Sequence, residues 1–292
     1  MQSVTVAATQ FACSPDRARN VATAERLIRE AAGRGAQVVM IQELFETPYF
    51  CKDEKQECFA LARSVDDSDT LARMSELARE LEIVLPVPFF ERANNAYYNS
   101  VMMMNADGAP LGTYRKSHIP DGFGYEEKFY FNPGDTGFRV WDTAYAKIGL
   151  GICWDQWYPE CARAMTLQGA ELLLYPTAIG SVIGETKPDS RRRWQRAMQG
   201  HAASNCVPVA AANRIGTESG DRGSVTFYGT SFIAGEDGEI LVEAGDNEEA
   251  VIVARFDFDE LRLERAAWGF FRDRRPELYT SLMTLDGAHW TD

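Results

Sequence analysis

The sequence predicts an α/β protein of a single domain, residues 1–292, with two sheets inside and helices outside. Three observations lead there. Short apolar, β-branched runs alternate with helical patterns along the chain. Residues 35–43 (GAQVVMIQE) and 169–177 (GAELLLYPT) echo each other, each joining a Gly-Ala pair after a helix to a buried strand, which implies two similar halves. No Pro-, Gly- or Ser-rich linker divides the halves, and a chain of 292 residues buries about three-quarters of its unfolded surface without a disulfide or metal staple.

The elements follow in order. Residues 3–9 read as a strand. Ser14, Pro15 and Asp16 offer an N-cap, a proline at the first helical position and an early acid, and the helix they open runs to Ala32 and stops at Gly33. Residues 37–41 are a buried strand that ends at Gln42 and Glu43. Ser68 and Asp69 cap a helix that reaches Leu81. Residues 83–90 and 98–105 are strands, 105–108 a turn, and 111–115 the returning arm of a hairpin, with Lys116 directly after it. A loop through Pro120, Gly122, Gly124 and Pro133 then runs to Thr136, and ordered loops of that length are usually functional. Residues 147–152 form a strand with Cys153 next, 158–168 a helix ending at Gly169, and 171–175 a strand. Residues 191–205 are helical, and 207–212 form a strand. Residues 228–234 and 240–244 flank the turn 236–238, and the strand 251–256 precedes a helix over 257–265.

Composition narrows the function. Lys and Arg number 30 against 43 Asp and Glu, a net charge of -13. That argues against a nucleic-acid partner, which needs a basic footprint, and suits both solubility and a cationic small substrate. No stretch approaches the roughly 18 apolar residues of a membrane span, and the start, MQSVTVAATQF, reads as a strand, not as a signal peptide. The 6 cysteines are scattered without a CxxC pair, so a reducing compartment, the cytoplasm, is expected. With 3 histidines and no HExxH, a zinc site is not expected.

Several residues invite chemistry. Cys153 lies where an apolar strand (KIGLGI) gives way to a helix start (WDQWYPE); helix-start N–H groups favour a thiolate, and the Trp154 N–H is placed to help bind an oxyanion. A lone cysteine is otherwise a buried structural residue, the reading for Cys161. Glu43 emerges from a buried strand as a candidate general base, or as an acid facing solvent at the strand end; Glu46 reads as loop surface. Lys116 is either a solvated lysine or a fixed ammonium beside a thiolate or oxyanion. His118 is a possible base for a cysteine, His201 a hydrogen-bonded core residue, and Arg191–Arg193 an anion site or a salt-bridged helix face.

Glu43, Lys116 and Cys153 come in this order, each at a strand end, and this resembles the nitrilase (carbon–nitrogen hydrolase) superfamily. The resemblance extends from "VAATQF" to "FRDRRPELY" through "IQELFETPYF", "YRKSHIPDGFGYEEKFYFNPGDTGF", "GLGICWDQWYPE", "LLLYPTAIGS" and "WQRAMQGHAASN". It implies a four-layer α-β-β-α sandwich, homo-oligomers of two or more copies, and no metal or organic cofactor. By position it implies that Cys153 is the nucleophile, Glu43 the general base and Lys116 the oxyanion-stabilising residue. A second glutamate before "YFNPG" matches Glu127, with Glu126 as its less suited neighbour.

Within the superfamily the sequence is similar to the branch that hydrolyses N-carbamoylputrescine, which implies a small-molecule carbamoyl amine as substrate. Asp121 and Tyr125 would then reach the distal ammonium, or else serve as turn and packing residues, and Trp154 and Tyr49 would wall the pocket. One departure stands out. The branch reads Ala-Ile-Gly-Ser-Glu-Pro, whereas here Val182 and Ile183 follow Ser181, and the next acid is Glu185. A sibling amidase for a carboxylate-bearing substrate would want an arginine, from Arg191–Arg193 or Arg214. A nitrilase fold serving only protein contacts is the remaining alternative.

Overall fold

The computed structural model describes residues 3–182 and 189–288. Two sheets face each other at its centre. In the first, Ala250–Phe256 runs antiparallel to Val4–Gln10, which runs parallel to Val38–Met40. A parallel bridge between Val38 and Val84 continues this sheet into the meander Leu85–Ala93, Ala96–Met104 and Pro110–Arg115. The second sheet is ordered Ile240–Glu243, Phe232–Ala234, Val209–Ala212, Leu172–Pro176, Lys147–Leu150, Arg139–Asp142, with three parallel strands at its heart.

Strand periodicity of two assigns the side chains to layers. Val6, Ala8, Val38, Met40, Leu172, Leu174, Ala210 and Ala212 share the core between the sheets. Their alternates Ala7, Val39 and Ile41 turn outward onto Leu27, Ile28, Leu71 and Met74 of the helices Arg17–Gly33 and Asp69–Leu81. Leu173, Tyr175, Val209 and Ala211 turn outward onto the helices Pro159–Leu167 and Arg191–Asn205. The result is the expected α-β-β-α stack. The continuous apolar runs VVMI and LLLY are explained by it, because strands covered on both faces need no polar alternation. The two echoing segments supply corresponding central strands of the two sheets.

The departures from expectation are local. Asp16, not Ser14, caps the first helix, accepting the Arg19 N–H at 3.1 Å, while Ser14 bonds the Asn20 side chain. The run 228–234 is broken into two strands, because Gly229 (φ 56°) and Thr230 (φ 48°) are both left-handed and carry the chain from one sheet to another. Ile215–Ser219, Ser224–Tyr228 and Gly180–Val182 make a small third sheet whose Gly, Ser and Glu content hides it from propensity. The long loop contains a short helix, Glu127–Tyr130, and leads into an edge strand, Arg139–Asp142. An aromatic cluster holds that loop down: Phe50 packs on Phe90 and Tyr130 at 5.0 Å each, and Phe90 on Phe131 at 5.1 Å.

Leu174 is fully buried between the sheets. Leu174→Ala is expected to cost about 2–5 kcal/mol, read as a lowered urea midpoint at unchanged slope.

Candidate active site

Glu43 sits just past the strand Val38–Met40, in a turn where Leu44 has φ 48°. The preceding Gln42 locks the turn to the first strand, accepting the Phe11 N–H at 3.0 Å and donating to the Phe11 carbonyl at 2.8 Å. Arg214 holds the other side. It is fully buried and donates to the carbonyls of Glu43 (2.7 Å), Leu44 (2.9 Å) and Thr47 (3.2 Å) while pairing with Glu218 at 3.0 Å. Arg214 is therefore committed to the backbone and is not a carboxylate anchor for a substrate.

Lys116 leaves the strand Pro110–Arg115 with its N–H on the Asn99 carbonyl (2.8 Å) and its own carbonyl on the Gly134 N–H (2.7 Å). The close approach explains the glycine: a Cβ at 134 would lie 2.0 Å from the Arg115 carbonyl oxygen. The ammonium, with no solvent exposure, touches Glu43 Oε1 at 2.8 Å and Glu127 Oε2 at 2.7 Å. Two of its three donors are thereby used and one is left. The Tyr49 hydroxyl donates to Glu127 Oε1 at 2.6 Å, and Asn99 Nδ2 donates to Glu43 Oε1 at 2.6 Å. Glu43 Oε2 is buried and has no partner among the described residues. Burial alone would depress the Lys116 ammonium, but Glu127 and Glu43 outweigh it and hold its pKa well above the usual value. Burial pushes Glu127 up to about 7, against the pull of Lys116.

Cys153 opens a helical turn, Cys153–Trp157, at φ 41°. A non-glycine residue there costs on the order of 1–3 kcal/mol and needs support. Asp155 supplies it. Fully buried, its carboxylate accepts the Ile152 N–H (2.9 Å), the Tyr114 hydroxyl (2.8 Å), and the N–H and Nδ1 of His118 (3.0 and 2.7 Å), so one residue ties the cysteine turn to the lysine segment. The Cys153 Sγ points toward the Ala178 carbonyl at 3.8 Å. Burial pushes the thiol well above its ordinary pKa, Glu43 pushes it further, and Lys116 opposes both. That direction favours the thiol over the thiolate.

Above Cys153 lies a cavity of about 500 Å³, lined by Asp121, Tyr125 and Trp154 as the sequence suggested, and also by Trp157, Val182, Asp189 and Arg193. Tyr49 is not a wall of it; fully buried, Tyr49 stands behind Glu127 and holds that carboxylate. The Tyr125 hydroxyl bonds both the N–H and the carbonyl of Gly180 (2.8 and 2.9 Å), which fixes one wall. Val182 packs with Tyr125 and Val225 in an apolar cluster, while Ile183 and Glu185 lie outside the described residues. Arg191 pairs with Asp246 at 3.5 Å and lies over Tyr228, so only Arg193 of that arginine run faces the cavity.

Other expectations resolve cleanly. Glu127, not Glu126, joins the lysine; Glu126 pairs with Arg222. His118 stacks on Tyr158 at 3.6 Å and bonds Asp155, and His201 is a buried residue bonded to the Gln156 carbonyl at 2.8 Å. Glu46 is not surface: it is buried against Arg17 at 2.9 Å. Among the described residues no group of three or more His, Cys, Asp and Glu is placed to hold a metal ion. Asn99 and Asp155 went unnoticed in the sequence. The signal for Asn99 is an amide in the otherwise apolar strand AYYNSVMMM, where an unbonded polar group is expensive.

A thiol beside a carboxylate with an open oxygen, backed by an ammonium with a spare donor, is equipped for nucleophilic attack on a carbonyl carbon. Comparison with known proteins agrees. The carbon-nitrogen hydrolase family profile matches residues 5–266. The chain is 60% identical to the N-carbamoylputrescine amidase of Solanum tuberosum over 98% of its length and 97% of that protein. It is 50% identical to the citrullinase of Francisella tularensis, covering 97% and 99%. The crystal structure of a carbon-nitrogen hydrolase from Helicobacter pylori G27 superposes with a TM-score of 0.91 at 37% identity, covering 97% of this chain and 99% of that one. A mutant amidase from Nesterenkonia sp. AN1, 26% identical with a TM-score of 0.76 over 95% of each chain, was solved with an acetamide moiety added covalently at its active site cysteine.

Replacing Arg214 strips three carbonyls, two of them buried, and Glu218 of their partner. Arg214→Met is expected to lower unfolding stability by about 3–5 kcal/mol, measured in urea at neutral pH.

Proposed function

The chain belongs to the carbon–nitrogen hydrolase family, and from that premise we propose that it works throughout as one amidohydrolase domain that cleaves N-carbamoylputrescine to putrescine, carbon dioxide and ammonia. The observation that carries the reading is Cys153 at the floor of the cavity with Glu43, Lys116 and Glu127 packed behind it. Its substrate follows relatives about as similar along their full length as the potato enzyme. A fold kept only for protein contacts would have no use for buried charges that are costly to desolvate.

In this mechanism the Cys153 sulfur bonds the carbamoyl carbon while the open Oε2 of Glu43 takes the thiol proton. The carbonyl electron pair moves onto oxygen, which receives the spare Lys116 donor and the Trp154 N–H; one such donor typically carries about 10²–10³ in rate. The C–N bond then breaks, and Glu43 returns the proton to the departing nitrogen. Glu43 next takes a proton from water, which attacks the thioester-level adduct and expels the thiol. Whichever nitrogen leaves first, the released carbamic acid loses carbon dioxide and gives the same products. Asp121, with Tyr125 and Trp154, receives the distal ammonium. A compartment that keeps thiols reduced, the cytoplasm, suits this nucleophile.

One observation favours a second substrate reading. Arg193 lines the cavity with no ion pair to any described residue, so a ureido substrate that carries a carboxylate beside its amine has a partner there. The test measures putrescine release from N-carbamoylputrescine and ornithine release from L-citrulline, with Cys153→Ala as blank. Putrescine release that vanishes in the blank is expected; ornithine release alone would move the substrate to the amino-acid class, and neither would overturn both.

We also infer a homo-oligomer. Leu263, Trp268, Leu278, Leu282 and Met283 are all more than half exposed along the last helix and the segment after it, apolar side chains that a partner copy would cover. The double variant Trp268→Glu, Leu282→Glu is expected to sediment at a lower mass than the parent chain; an unchanged mass would place the interface elsewhere.

A further inference from the structure

The two carboxylate oxygens of Glu43 are treated differently. Oε1 accepts from Lys116 Nζ at 2.8 Å and from Asn99 Nδ2 at 2.6 Å. Oε2, equally buried, accepts from no described residue. Asn99 stands inside the strand Ala96–Met104 with no solvent exposure. Its Nδ2 serves Glu43, its Oδ1 has no partner among the described residues, and its main-chain carbonyl takes the Lys116 N–H at 2.8 Å. Turning the amide over would set oxygen against Oε1, so the network fixes its orientation. One residue thus holds the glutamate by its side chain and the lysine by its backbone.

We propose that Asn99 is a positioning residue of the hydrolysis, which ties down Oε1 of Glu43 and so reserves Oε2 as the oxygen that receives the Cys153 proton. The proposal rests on Glu43 acting as the base. The terminal carboxylate torsion is soft and two-fold, so without a second donor Glu43 rotates and shares both oxygens with Lys116. That rotation draws the ammonium away from its place between Glu127 and the reacting oxygen. A bond donated to a charged oxygen also favours the ionised carboxylate, the form that takes a proton. The other groups whose charge acts on or is felt from Glu43 are Lys116, Glu127, Cys153, Tyr49, Cys51 and Arg214, and none of them is itself removed when Asn99 is replaced.

The test compares the parent chain with Asn99→Ala and Asn99→Ser in two pH profiles: kcat/KM for N-carbamoylputrescine, and the rate of Cys153 alkylation by iodoacetamide. In Asn99→Ala kcat is expected to fall about 10- to 100-fold with little change in KM, and the acid limb of both profiles to move to higher pH. Asn99→Ser, which keeps a shorter donor, is expected to fall between, and it carries the test if the alanine variant does not fold. An acid limb that stays in place in a folded variant overturns the proposal even where activity drops, because that pattern marks a packing defect alone. Alkylation needs no substrate, so a parent chain inactive on N-carbamoylputrescine would refute the substrate and leave the alkylation profile to decide on Asn99.

Discussion

The structure is organised around one buried ammonium, that of Lys116. An N–O separation of 2.8 Å corresponds to an attraction of roughly 6 kcal/mol at an effective dielectric near 20. Desolvation costs several kcal/mol for each ion, so a single dry pair is close to break-even. The second carboxylate, Glu127, shifts that balance, and Tyr49 and Asn99 satisfy the remaining demands of the two acids. Each partner arrives from a different part of the chain. Glu43 ends a central strand of the first sheet, Lys116 ends its hairpin, Glu127 rides on the loop between, and Cys153 follows a central strand of the second sheet. The charge cluster therefore exists only when both halves and the long loop are in register.

That cluster sets the state of the sulfur. Two acidic side chains already share a single ammonium in this buried region, and burial lifts one of them, Glu127, to about 7. A thiolate would add negative charge beside them, which is why burial together with Glu43 pushes the Cys153 thiol well above its ordinary pKa. The thiolate is therefore disfavoured in advance of attack. Its proton has to leave as the carbonyl carbon is attacked, when the new negative charge moves onto an oxygen that Lys116 and the backbone can receive. This arrangement couples loss of the thiol proton to attack on an electrophile, and it gives the open oxygen of Glu43 a defined task.

Much of this was legible in the sequence, for physical reasons. Strands covered on both faces, as at 38–41 and 172–175, announce themselves as short apolar runs. Polar residues stranded at their ends, Glu43 and Cys153, are conspicuous because burying them is costly. What was not legible depends on contacts between distant segments. Arg214 looked like a substrate anchor and instead bonds carbonyls about 170 positions earlier. Tyr49 looked like a wall, but its hydroxyl turns to Glu127. The third sheet was missed because its strands are held by pairing across Gly180, Gly216 and polar residues, and not by apolar patterning.

The cavity shows how specificity can change while chemistry stays fixed. At Val182 the wall is apolar, and the packing behind it is tight: a Cβ on Gly124 would lie 2.8 Å from a Val182 methyl, so the loop next to Lys116 is shaped around that side chain. Recognition of charge has to come from elsewhere in the cavity. Asp121, Asp189 and Arg193 provide it, two acids and one base among the described lining residues. Asp189 already caps the Arg191 N–H at 2.7 Å, which leaves Asp121 as the freer acid and Arg193 as the cation with no ion pair among the described residues. A diamine derivative uses only the acids, whereas a zwitterionic end uses both signs at once. Because none of these three residues touches the Lys116 cluster, the choice between the two ligands is made at the cavity wall and leaves the path of the Cys153 proton unaltered.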